Sequence, residues 1–92
     1  MKTIHLRVIN PVGLHARPAA EFVKSATQFK SKITVCNVTR HSASVDAKSI
    51  LSILTLGVEK DHEIEVKAEG EDEVLAIQTL QELVESDFAG RV

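Results

Sequence analysis

Tryptophan and tyrosine are absent from this 92-residue chain, and three phenylalanines are its whole aromatic content. Any core it builds must therefore be filled by Ile, Leu, Val and Ala. Cysteine occurs once, as Cys36, which excludes an internal disulfide and leaves it a strand residue without redox duty. Neither sign of charge dominates: 11 Lys and Arg stand against 13 Asp and Glu, a net charge of −2. That gives none of the electrostatic footprint expected of a nucleic-acid binder. No apolar run is long enough to span a bilayer, and the start lacks the apolar core of a signal peptide. These absences point to a cytoplasmic protein that binds neither nucleic acid nor membrane. No domain linker, low-complexity tract or internal repeat interrupts the chain, so residues 1–92 are expected to form a single domain with one core.

What is present reads as alternating strands and helices. Ile4, Leu6 and Val8 face one way and Thr3, His5 and Arg7 the other, the pattern of a half-buried strand over residues 2–9. Ala19, Phe22, Val23, Ala26 and Phe29 recur at helical spacing, which predicts a helix over about 16–28. A second strand is expected over 32–38 through Ile33 and Val35, and a shorter one near 42–45. Ser49 to Leu54 suits a short helix ended by Gly57. Residues 62–68 alternate again, with Ile64, Val66 and Ala68 inward. A last helix is expected from about Asp72 to Ser86 on the stripe Ala76, Ile77, Leu80, Leu83 and Val84, with Glu71, Asp72 and Glu73 complementing its dipole. The order β-α-β-β-α-β-α fits an α+β domain in which helices cover one face of an antiparallel sheet.

The densest signal lies between Gly13 and Ala20. Pro18 is tolerated in a first helical turn, where its missing N–H would be unpaired anyway, so the helix starts at about Ala16 with His15 at its N-cap. Ser, Thr, Asp and Asn normally hold that position. An imidazole there, beside unpaired N–H groups and the positive end of the helix, suits an anion carried on the ring. Gly13 frees the backbone just ahead of it, and Arg17 can fork onto phosphate oxygens. A lone histidine beside a helix is usually a packed or solvated side chain; these neighbours bring phosphoryl chemistry level with that reading. Imidazole forms covalent intermediates and titrates near neutrality, so a neutral nucleophilic ring is available. Phosphoryl transfer asks mainly for alignment and charge stabilisation, which requires no metal or cofactor of the chain's own. The residue type leaves either ring nitrogen open as the nucleophile.

Continued through Glu21, Phe22, Val23 and Lys24, this segment resembles the active-site signature of the HPr family, the histidine phosphocarriers of the bacterial phosphoenolpyruvate-dependent phosphotransferase system. A second stretch, Val45 to Leu51 followed by Leu56 and Gly57, is similar to that family's regulatory segment. The resemblance spans nearly the whole chain. It implies an open-faced β-sandwich, with a four-stranded antiparallel sheet in the order 1-4-2-3 and three helices on one face. It also implies that His15 is a stoichiometric relay rather than an enzyme's centre. The ring would take a phosphoryl group at Nδ1 from Enzyme I and pass it to EIIA-type domains for sugar uptake or its regulation, with Arg17 stabilising the phosphate. The protein would act as a monomer. Ser49 by itself reads as a helix N-cap; the resemblance adds phosphorylation by HPr kinase/phosphorylase. Ile50, Leu51, Ile53 and Leu54 are too many apolar residues for one side of a short helix. The resemblance places Ile50, Leu51 and Leu54 at the surface as a docking patch, with Lys24 as a polar rim for acidic partners.

Several positions depart from the family pattern. Asn37 to Ser44 is longer than the usual tight hairpin and lacks an Asn-Gly turn. Val12 stands where many relatives carry a hydrogen-bonding residue, and Thr27 where some carry a basic one. Asn37, Val38 and Thr39 form a glycosylation sequon that a cytosolic chain leaves unmodified. His5, His41 and His62 lie on separate elements without ligand spacing and read as surface residues. Two rival functions remain. A regulatory module acting only by protein binding through Ser49 is expected to lack a histidine at position 15. A small-ligand or metal module would want a cluster such as Cys-x-x-Cys, and Cys36 is alone. Neither accounts for the Gly13 to Ala20 segment.

Overall fold

The computed structural model describes residues 1–86 and Phe88. Apolar alternation produces four strands: β1 (Lys2–Arg7), β2 (Lys32–Asn37), β3 (Val45–Asp46) and β4 (Glu63–Glu69). Helical spacing produces α1 (Ala16–Thr27), α2 (Ile50–Thr55) and α3 (Glu73–Glu85). The strands form one antiparallel sheet in the order β1-β4-β2-β3, the order the resemblance implied. Register sets Leu6 opposite Ile64, and Val66 between Ile4 and Val35, so the inward side chains of three strands form one apolar face.

The helices cover that face. α1 buries Ala19, Phe22 and Ala26, α3 buries Ala76, Ile77, Leu80 and Val84, and α2 contributes Ile53. The other face carries polar side chains across the strands, His5, Glu65 and Cys36 standing in one row. There His5 Nε2 lies 2.6 Å from a Glu65 carboxylate oxygen, and Lys67 Nζ lies 3.5 Å from its other oxygen. The hydrogen bond with His5, with Lys67 beside it, holds the Glu65 carboxyl below the usual carboxylate range. Among the described residues no helix is long and apolar enough to cross a membrane.

Two boundaries differ from the sequence reading, each for a tertiary reason. β1 stops at Arg7 because Val8 bonds to the turn before β4 instead: its N–H donates to the His62 carbonyl at 2.9 Å, and its carbonyl accepts from Asp61 N at 2.7 Å. The strand expected near 42–45 is only Val45–Asp46, since the connection before it is shaped by the buried Asn37 side chain. That amide donates to the Leu56 carbonyl at 3.1 Å, and its oxygen accepts from Arg40 N at 3.2 Å. A side chain so committed is also closed to glycosylation.

Candidate functional site

The loop before α1 is held to the turn before β4, and Gly13 is what lets it approach. Its φ of +66° is a left-handed value that L side chains rarely adopt, and a Cβ there would lie 2.1 Å from the Val58 carbonyl oxygen. Leu14, fully buried, donates its N–H to that same carbonyl at 3.0 Å. From the other side Asn10 Nδ2 donates to the Gly13 carbonyl at 2.8 Å, and Gly13 N donates to the Asn10 carbonyl at 3.2 Å. His15 therefore starts from an anchored backbone.

His15 is the N-cap residue of α1, in extended conformation, but its side chain makes no capping hydrogen bond. The ring is free for other chemistry while the first N–H groups of the helix stay beside it. Ala16, next in line, has φ +51°, a left-handed conformation that costs a non-glycine residue about 1–2 kcal/mol. Pro18 is buried within the first turn, and Arg17 is exposed. None of the ion pairs among the described residues engages the Arg17 guanidinium. His15 Nε2 faces Glu59 Oε1 at 3.6 Å. The sequence offered no sign of this carboxylate, because backbone pairing between Leu14 and Val58 brings the two segments together.

Hydrogen bonds at its two ends set α2 alongside α1, running the opposite way. Lys48, just before α2, donates from Nζ to the Phe29 carbonyl beyond the end of α1, at 2.6 Å. Val58, just after α2, accepts from Leu14 at the start of α1. Ser49 is the N-cap, as expected: its Oγ accepts from Ser52 N at 3.3 Å. Ile53 is buried while Ile50, Leu51 and Leu54 are exposed, Leu51 most of all at 75%. Lys24 is exposed in the last turn of α1. Thr27 donates its hydroxyl to the Lys24 carbonyl at 2.8 Å.

His62 corrects the sequence reading. It is half-buried, and its Nδ1 accepts from Glu59 N at 3.0 Å and lies 3.2 Å from Asn37 Nδ2. With His62 N donating to the Glu59 carbonyl at 3.1 Å, it fixes the turn that carries Glu59. His62 is part of the framework of the site, a role that its position at the start of an alternating strand did not suggest.

Residues 2–86 match the family described as PTS HPr component phosphorylation site. The chain is 50% identical over 72 residues to the phosphocarrier protein HPr of Buchnera aphidicola subsp. Schizaphis graminum, covering 78% of this chain and 81% of that protein. It is 43% identical over 83 residues to the multiphosphoryl transfer protein of Haemophilus influenzae, covering 90% of this chain but only 17% of that much longer relative. Among solved structures, HPr from Thermoanaerobacter tengcongensis superposes with a TM-score of 0.92 at 42% identity, over the full length of both chains.

Proposed function

This chain belongs to the HPr family of phosphotransferase-system phosphocarriers, and from that premise we propose that His15 is the residue that carries the phosphoryl group. The observation behind this reading is an imidazole at the start of α1 that is not spent on capping it. A phosphate on the ring would meet the helix N–H groups and the Arg17 guanidinium, unpaired among the described residues, both suited to a dianion. The carrier accepts its phosphoryl group from Enzyme I, with phosphoenolpyruvate as the ultimate donor, and delivers it to EIIA-type domains. It acts stoichiometrically, and its own residues supply no turnover.

Docking of those partners falls to Ile50, Leu51 and Leu54 with Lys24 at the rim. Ser49 is the point of regulation: a phosphate on its hydroxyl would sit at the start of α2, accommodated without refolding but adding charge to the docking face. Incubation with phosphoenolpyruvate and Enzyme I is expected to add one acid-labile, base-stable phosphate. His15→Ala should abolish that label while leaving the fold intact by circular dichroism. Equal labelling of the His15→Ala protein would overturn the assignment.

A further inference from the structure

We propose that Glu59 is a positioning residue for His15, one that selects which ring nitrogen reacts; this rests on His15 being the phosphoryl acceptor. The carboxylate faces Nε2 at 3.6 Å, outside direct hydrogen-bond distance but within the reach that catalytic pairs close when a partner docks. The backbones that carry the two side chains are held against each other. Leu14 N bonds to Val58 on one side, and His62 bonds to Glu59 through both its backbone N–H and its Nδ1 on the other. Gly13 admits no larger residue at the contact between the two segments.

Two consequences follow from a carboxylate at that edge of the ring. It favours the proton on Nε2, which leaves the Nδ1 lone pair as the nucleophile. It also repels a phosphate approaching Nε2, so the same charge that prepares one nitrogen closes the other.

During transfer the Nδ1 lone pair forms the new N–P bond as the donor's bond to phosphorus breaks, and that electron pair stays with the donor. Nε2–H remains in place, so the ring becomes cationic. Glu59 then offsets this positive charge against the adverse field of the α1 N-terminus, as the buried carboxylate of a catalytic triad does for its histidine. The pair is open in the free protein, His15 being 38% and Glu59 61% exposed. The interaction strengthens when a docked partner excludes water.

The test compares wild-type protein with Glu59→Gln and Glu59→Asp, using intact chains, Enzyme I and phosphoenolpyruvate. Long-range proton–nitrogen NMR spectra of the His15 ring report the tautomer before any phosphate is present. Glu59→Gln should raise the Nδ1–H fraction and lower the maximal rate of His15 phosphorylation by about tenfold, with the apparent KM and Tm little changed. Glu59→Asp should recover part of both. Unchanged ring nitrogens and an unchanged maximal rate would overturn the role of Glu59 while leaving His15 as acceptor. A change confined to KM would also overturn it, making Glu59 a docking contact. A wild-type chain that takes no phosphate on His15 would instead remove the functional reading on which this role depends.

Discussion

Arg17 is exposed beside His15 at the start of α1, and no ion pair among the described residues uses its charge. Its contribution should therefore depend on the state of the site. Removing an exposed, unpaired charge usually changes stability by less than about 1 kcal/mol. Losing charge-assisted hydrogen bonds to a phosphate costs about 1.5–3 kcal/mol in the state that makes them. Arg17→Ala should accordingly melt within a few degrees of wild type yet slow phosphoryl transfer by about ten- to a hundredfold. Rapid-mixing transfer kinetics beside a thermal melt separate the two effects. A large fall in Tm with unchanged transfer would reverse their order. The sequence made His15 and Arg17 legible because their signal is local: a glycine, a proline and two basic side chains within one loop and one helical turn. Glu59 was illegible because its relation to the ring depends on one long-range backbone bond, between Leu14 and Val58, which no spacing rule encodes.

Elements show the same division between local pattern and tertiary override. The stripe of α1 and the alternation of β4 appear where periodicity puts them, since each needs only one apolar face to bury. The connection between β2 and β3 escapes that logic, because one buried asparagine fixes its shape, accepting from Arg40 N within it and reaching Leu56 and His62 on other segments. Asp72 is a milder case. The sequence reads it as a complement to the α3 dipole, yet its side chain makes no cap for that helix. Instead its carboxylate accepts from Lys30 N at 2.8 Å, from Ser31 N at 2.9 Å and from the Ser31 hydroxyl, tying the start of α3 to the start of β2. The Ser31 hydroxyl, followed by the Lys30 N–H, holds the Asp72 carboxyl below its usual range. A carboxylate lowered in the folded state stabilises the fold at pH above its unfolded value, about 3.9. That stabilisation is lost as the pH falls through the unfolded value and on through the lower folded one. Asp72→Asn should thus be less stable than wild type near neutrality, and the gap should close as the pH falls below about 4. Urea titrations across that range measure it. A gap that stayed constant would show that the ionised carboxylate is not what joins the two elements.

For the molecule as a whole, the antiparallel course of α1 and α2 would separate the two proposed functions along one surface. The end of α2 leads through Val58 to Leu14 and the His15 ring, whereas its start, capped by Ser49, lies beside the far end of α1. A charge at Ser49 is therefore placed to disturb docking without touching His15 chemistry directly. Ile50, Leu51 and Leu54 supply the apolar area of that face. Burying one aliphatic side chain contributes about 1.5–3 kcal/mol, so Leu51→Ala should weaken partner docking by about tenfold or more. Ser49→Asp adds a carboxylate that must be desolvated as a partner closes over it, with like-charge repulsion wherever that partner is acidic. It should slow phosphorylation by Enzyme I mainly through the apparent KM, with the maximal rate and the fold preserved. The double variant should lose no more than the product of the two single effects, since both changes act on one contact. Steady-state transfer on the three variants, with thermal melts beside them, decides the question. A Ser49→Asp protein that matched wild type in KM would separate the two motifs, leaving the α2 face to some partner other than Enzyme I.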